Sequence, residues 1–414
     1  MTVGVRHDDL RRRNRAMVIG AVRRASQPSR TEIAAATELS NSTISAISAD
    51  LISDGVLAEI KSGEAALARR GRPQVALGLN PGYASIVAVV LTLNRLWTTL
   101  IAYDGTVAAE DDQRLSTMTM GKDELVGAVL AGVRRLIGGS GARLPLRIAL
   151  AVQGITDSSD TRLLWSPITP HSDIDFGPRL EAEFGIPATV QNDCNMIAVA
   201  LKWRWPQRYG EDFFAVLLSN GIGMGLMQKG QLFTGTHSSG GEFGHMTHIP
   251  RGALCRCGRR GCIEAYAGNY ALVRNAAGAA ETDPPAADIG QAEIEALADA
   301  ARAADGRERA AFRRAGEAIG YGMGNLFALF DPAPVAIVGP GALAFDILEE
   351  PIREAIAQTA GGQHSGAISF ATEPDEMPLI REGCAMTALA FVDAQVAARG
   401  PAAAAGRELG REVA

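Results

Sequence analysis

Three short helical patterns and a strand, followed by aliphatic strands that alternate with helices, predict a winged helix-turn-helix front on a two-part α/β body. The charge distribution supports the same division. Residues 1–80 hold twelve Arg and Lys against eight Asp and Glu, whereas the remainder holds twenty-eight against thirty-eight. A basic front suits a polyanion such as DNA, and an acidic body suits a neutral partner. The 414 residues are enough for two or three domains. With 47% hydrophobic and only 5% aromatic residues, the cores must be aliphatic and Ala-rich. No apolar run approaches the ~18 residues that span a bilayer, so no membrane contact is expected. The odd count of five cysteines and the lack of a signal peptide point to reduced thiols and a cytoplasmic location.

In the front, Met17, Val18, Ala21 and Val22 fall at helical spacing within residues 14–26. A second short helix begins at Thr31. Ser40 is a candidate N-cap for a third, with Ile44, Ile47 and Leu51 on one face. Asp54-Gly55 stops that helix and Val56–Ile60 starts a strand. The third helix is the one expected in the DNA major groove, presenting Asn41, Ser42, Thr43, Ser45, Ala46 and Ser48. Asn41 suits adenine and the hydroxyls suit bases or phosphates, but without an arginine on this helix guanine readout is poor. The wing tip, Arg69 to Pro73, carries Arg70 and Arg72 in a slim segment suited to a narrow A·T-rich minor groove. Glu38 stands at a turn where glycine is usual, which implies some backbone strain. The blander alternative is a helical oligomerisation arm with a solvated basic linker.

In the body, Ile86–Leu93 and Leu96–Tyr103 read as strands, and residues 122–137 as a helix. Ile148 begins a third strand, and Ala188 a fourth that leads to Asn192-Asp193. Phe214–Ser219 precedes the Gly-rich turn at Asn220–Gly225, and Val335–Val338 precedes Gly339-Pro340-Gly341. Gly-rich turns at strand ends are common ligand sites. Residues 286–330 read as helical, and 397–414 as a frayed tail or marginal helix.

The densest chemistry lies in Cys255-Arg-Cys257-Gly-Arg-Arg-Gly-Cys262-Ile-Glu264, ten residues after His245. Three thiolates and one imidazole complete a tetrahedral zinc shell with no position left for water, so the expected Zn²⁺ is structural. The alternative is three buried cysteines beside an unrelated histidine, but a loop rich in Arg and Gly is not core-like. Asp193, Glu242 and Glu264, with the amide of Asn192, supply the paired acceptors that sugar diols require.

The order of these motifs resembles the ROK family (repressors, open reading frames, kinases), in its transcription-regulator branch. The winged helix, Asn192-Asp193-Cys-Asn195, Ser-Asn-Gly221-Ile-Gly223, Gly241-Glu242-Phe-Gly244-His245 and the cysteine loop carry the resemblance, which runs from about residue 14 to 395. It implies two actin-like (ribonuclease-H-like) lobes with a sugar in the cleft between them. It implies that His245, Cys255, Cys257 and Cys262 bind zinc. It also implies that Asn192, Asp193, Glu242, His245 and Glu264 contact the sugar, with one ring nitrogen of His245 on each ligand. The expected divisions are a DNA-binding unit at 1–80, lobes at 81–195 and 196–395, and a tail at 396–414.

Asp193 matches the general base of the kinase members. Those members carry Asp-x-Gly-Gly-Thr at the first strand's end, where this chain has Leu91-Thr92-Leu93-Asn94-Arg95. The carboxylate and the glycines that let backbone amides approach phosphate are lost. The turn at Ser219–Gly223 is expected to be a hairpin, and Pro340 removes a further amide. The expected function is therefore a sugar-responsive repressor that binds double-stranded operator DNA, as a homodimer or dimer of dimers. Its effector would be a sugar or sugar phosphate. The alternatives are an ATP-dependent sugar kinase with an appended DNA-binding unit, and control by a protein partner.

Overall fold

Helix α1 (His7–Ala25) buries Val18, Ile19, Ala21 and Val22, and starts two turns before the sequence pattern becomes periodic. The computed structural model describes residues 7–60, 75–139, 145–238, 240–286 and 289–398. The wing tip with Arg70 and Arg72, and the tail beyond Ala398, lie outside these residues. Helix α2 (Arg30–Thr37) opens on a capping box, Ser29 accepting from the Glu32 amide while Glu32 accepts from that of Ser29. It ends at Glu38 in the left-handed region (φ 57°), the strained position expected from the missing glycine. Helix α3 (Asn41–Ser53) starts from Ser40, whose hydroxyl accepts from the Thr43 amide. It buries Ile44, Ile47 and Leu51. Ser48, expected to face outward, is fully buried beside them. Its position lies four residues after Ile44, so helical geometry turns it inward. Strands β1 (Leu57–Ile60) and β2 (Ala76–Leu79) close the front as an antiparallel pair. Arg15, almost fully buried, anchors α1 to the end of α3 through Asp54 at 2.9 Å.

The body contains two mixed five-stranded sheets with one topology. The first comprises β3 (Ser85–Thr92), β4 (Arg95–Ala102), β5 (Val107–Arg114), β6 (Ile148–Val152) and β9 (Ala188–Asn192), in the order β5-β4-β3-β6-β9. A short hairpin of β7 (Ile155–Thr156) and β8 (Leu163–Trp165) hangs from it. The second comprises β10 (Phe213–Leu218), β11 (Ile222–Gln228), β12 (Gln231–Leu232), β13 (Val335–Val338) and β14 (Phe370–Glu373), in the order β12-β11-β10-β13-β14. In each, the first three strands form antiparallel hairpins and the last two add in parallel. The central strands are apolar on both faces because helices cover both. The further helices of the body include α4 (Lys122–Gly139), α5 (Phe176–Phe184), α7 (Glu264–Ala267), α8 (Asn269–Ala277) and α11 (Phe345–Ala357), and the residues expected as one helical stretch at 286–330 form α9 (Gln291–Ala303) and α10 (Arg307–Phe330).

Two helices join the sheets. Helix α6 (Asp193–Arg204) follows β9 directly and packs on β10 and β11 of the second sheet. Helix α12 (Glu376–Ala398) follows β14 and returns to pack on β3, β6 and α1. The expected 196–395 lobe therefore includes a helix that lies on the first sheet. The two helices meet at Gly383, where a Cβ would fall 2.0 Å from the Met196 carbonyl oxygen. Among the described residues, no helix is long and apolar enough to cross a membrane. Gly383→Ala should force α6 and α12 apart and cost about 1–3 kcal/mol, read as a lower urea midpoint; an unchanged midpoint would show that the joint tolerates a methyl group.

Candidate functional site

The metal-ligand set is assembled by backbone turns. His245 ends a 3-10 turn, Phe243–His245, that follows β11 and β12. The cysteine loop folds back through isolated bridges, Thr247 with Cys262 and Leu254 with Arg260. Gly261 adopts φ +88°, and a Cβ there would lie 1.8 Å from the Ile249 carbonyl oxygen, so the return needs glycine. The ligand atoms of His245, Cys255, Cys257 and Cys262 all lie within 4.8 Å of one another. Cys257 Sγ and Cys262 Sγ are 3.8 Å apart, and His245 Nδ1 is 3.7 Å from Cys255 Sγ. A tetrahedron with metal–sulfur bonds of ~2.3 Å has edges of ~3.8 Å. The four donors thus fit a closed tetrahedral metal shell. Bonds from Cys255 and Cys262 hold the Cys257 thiol well below its ordinary range, and the bonds of Cys255 with Cys257 and Cys262 push Cys255 up. Cys194 and Cys384 are buried outside this set, Cys194 beside Gly223.

The second ring nitrogen of His245 faces Glu242, with Nε2 3.9 Å from Oε2. Glu242 borders a cleft with Asn192, Asn195, Gly223, Met224 and Gly240. Asn192 is also the N-cap of α6, accepting from the Asn195 amide and donating to the Gly154 carbonyl. Asp193, buried beneath it, accepts from the Cys194 amide at 2.9 Å. Glu264 is buried behind the cleft. One of its oxygens accepts from the Ile222 amide at 3.2 Å, and the other from the Tyr270 hydroxyl at 3.4 Å. Burial raises the pKa of Asp193, opposed by the Cys194 amide. Burial also raises Glu242, where His245 opposes and Asp193 and Glu264 add. The structure thus brings the five expected sugar contacts into one electrostatic neighbourhood. Glu242 and Asn192 line the opening, while Asp193 and Glu264 lie deeper. Sequence reasoning named Asn195 within a family motif without giving it a role, and did not name Trp165. The Trp165 indole, from β8, meets His245 edge-on with centroids 5.6 Å apart. His171 is held by the Met120 carbonyl.

The turns expected to bear on phosphate binding take specific forms. Leu91 is fully buried, and Leu93-Asn94 forms a two-residue hairpin with Asn94 at φ 58°. Asn94 exchanges hydrogen bonds with Thr117 in both directions. Ser219–Gly221 is the expected hairpin between β10 and β11. Gly339 and Gly341 both pack against Leu218. On α3, Asn41, Ser42 and Ser45 are exposed and Thr43 is half-buried, its hydroxyl bonded to that of Ser40.

Residues 97–378 match the ROK family profile. The chain belongs to the ROK family. It is 25% identical over 363 residues to the xylose repressor of Caldicellulosiruptor bescii, covering 85% of this chain and 89% of that one. A glucokinase of Streptomyces coelicolor is 31% identical over 186 residues, 42% of this chain and 58% of its own. The crystal structure of a ROK family transcriptional regulator, a homolog of the E. coli MLC protein, aligns with a TM-score of 0.73. The alignment covers 94% of this chain and 99% of that one at 22% identity. The fold is therefore the ROK actin-like body with its mixed sheets, preceded by a helical N-terminal region.

Within this ROK body the buried carboxylate of Asp193 is a burden on stability. A raised acid contributes stability below its unfolded pKa and loses it as pH rises through the folded value. Asp193→Asn should therefore melt above wild type at about pH 8, with the gap closing toward about pH 4 as both forms become neutral. Differential scanning fluorimetry reads this, and a gap independent of pH would contradict it.

Proposed function

We propose that this chain is a sugar-responsive DNA-binding repressor. The observation that carries the reading is a contrast within the body. The sugar-type carboxylates and the four metal donors lie close together, while Leu93-Asn94, which the family resemblance aligns with the kinase phosphate loop, is a closed hairpin. Similarity to a xylose repressor along 85% of the chain supports it. In this reading, α1–α3 and β1–β2 form a winged helix-turn-helix. Helix α3 enters the major groove with Asn41, Ser42, Thr43 and Ser45, and Arg70 and Arg72 on the wing enter the minor groove. Two chains form a homodimer on a double-stranded operator. Asn192, Asp193, Glu242, His245 and Glu264 bind the sugar hydroxyls. His245, Cys255, Cys257 and Cys262 hold a structural Zn²⁺, which when bound fixes the imidazole so that its other nitrogen faces the sugar. Closure of the cleft lowers DNA affinity, which requires that the sugar prefer one state of the body.

The kinase alternative is favoured by one observation, the buried Asp193 at the cleft together with the partial similarity to a glucokinase. A thermal-shift panel of pentoses, hexoses and their phosphates identifies the ligand, and DNA affinity is then measured with and without it. A drop in DNA affinity of about tenfold or more is expected. ATP-dependent turnover of that sugar would favour the kinase, and a panel without any binder would overturn the sugar reading. Cys257→Ser should reduce zinc from about one per chain to a small fraction and weaken sugar binding; full zinc by mass spectrometry would remove Cys257 from the ligand set. Glu242→Ala should retain DNA binding and lose most of the sugar response, and a wild-type dose–response curve would count against its role.

A further inference from the structure

The front is fastened to the body by a buried polar cluster that no part of the sugar or metal chemistry uses. Arg23, near the end of α1, is only 5% exposed. Its Nε and Nη2 donate to the two carboxylate oxygens of Asp393 on α12, at 2.8 and 2.7 Å. Its Nη1 donates to the Tyr103 carbonyl oxygen at 2.8 Å, and the guanidinium lies 4.8 Å from the Tyr103 ring centroid. The Tyr103 hydroxyl donates to the same Asp393 at 2.7 Å. By contrast, Arg11–Asp50, Arg15–Asp54 and Arg30–Glu59 stay within the front. A bidentate guanidinium–carboxylate pair fixes orientation as well as distance, and in a buried setting it is either formed or broken.

Helix α12 runs from this cluster to the cleft. Glu376, in its first turn, is half-buried with its carboxylate 3.5 Å from the Ser219 hydroxyl, in the turn that leads to Gly223. From Glu376 to Asp393 is ~26 Å at 1.5 Å per residue. Midway, Gly383 touches the Met196 carbonyl, and Thr387 contacts the Met196 sulfur at 3.7 Å. Met196 lies one turn after Asn192, the cap residue that lines the cleft. A shift of the start of α6 on ligand binding therefore displaces α12 along a chain of close contacts.

We propose that Arg23, Asp393 and Tyr103 form the latch that sets the orientation of the front on the body, and that α12 carries the state of the cleft to it. The proposal rests on the reading of the body as sugar-binding and the front as DNA-binding. The test uses the full chain, D-xylose and D-glucose as probe sugars, and a duplex from the upstream region of its own gene. Asp393→Asn should speed hydrogen exchange in α1 by about tenfold or more while leaving α3 unchanged. It should bind the probe sugar as wild type does, yet its DNA affinity should change less than about twofold on adding sugar. Arg23→Lys, which keeps the charge and loses the fork, should fall between the two. Tyr103→Phe leaves the ion pair in place and should lose only part of the response, which separates uncoupling from misfolding. Wild-type exchange in α1, or a full sugar response in Asp393→Asn, would overturn the latch. If wild type binds neither sugar, the functional reading has failed on these probes, and the exchange result alone decides the latch.

Discussion

The backbone contact between α6 and α12 is the constraint on which the remaining architecture depends. With no side chain at Gly383, the helices approach until one touches the carbonyl of the other. Their buried faces, including Ile197, Leu201, Leu389 and Val392, merge with Val18 and Val22 of α1, Ile86 of β3 and Ala215 of β10 in one apolar cluster. Front, first sheet and second sheet thus share a core. A close-packed interior of this kind passes a displacement on instead of absorbing it. The low aromatic content of the chain belongs to the same design, because short aliphatic residues allow helices to lie close together.

The cleft at the head of α6 gathers groups that are costly to bury. Asp193, Glu242 and Glu376 all have pKa values raised by burial. Beside them burial opposes the charge of His245, but bonds to Cys257 and Cys262 and the charge of Glu264 outweigh it and push the imidazole up to about 10. In the reading proposed above, a divalent ion held by His245, Cys255, Cys257 and Cys262 would take thiolates and a neutral imidazole as ligands, so that metal binding and ordering of the loop would reinforce each other. In the same reading, the hydroxyls of a sugar would donate to the carboxylates of the cleft.

What the sequence revealed depended on range. The cysteine loop was legible because its donors fall within eight residues and its glycines announce the turn. The caps at Ser40 and the strain at Glu38 were legible because they are local. The capping box at Ser29 and Glu32 obeys a local rule too, and its signature stands in the sequence. Ser48 was misplaced because an outward polar residue and an inward hydroxyl look alike in a helical pattern. Arg23 and Asp393 stand 370 residues apart, and nothing in either neighbourhood indicates a partner. Trp165 is far from His245 in the chain and meets it only through the tertiary fold, and the return of α12 to the first sheet is likewise a property of topology.

The same reasoning bears on the division between repressor and kinase. A glycine kept in a former phosphate turn need not have kept a phosphate. Gly339 and Gly341 have Leu218 where a side chain would go, so packing alone requires them. At the first turn the replacement is more complete: Leu91 is in the core, and Asn94 and Thr117 close the hairpin with two reciprocal bonds. In the reading proposed above, the sugar contacts are kept while the former phosphate turns serve as structure. A body of that kind releases the molecule it binds unchanged. Its binding energy is then available to favour one conformation over another, where a kinase would direct it to a transition state.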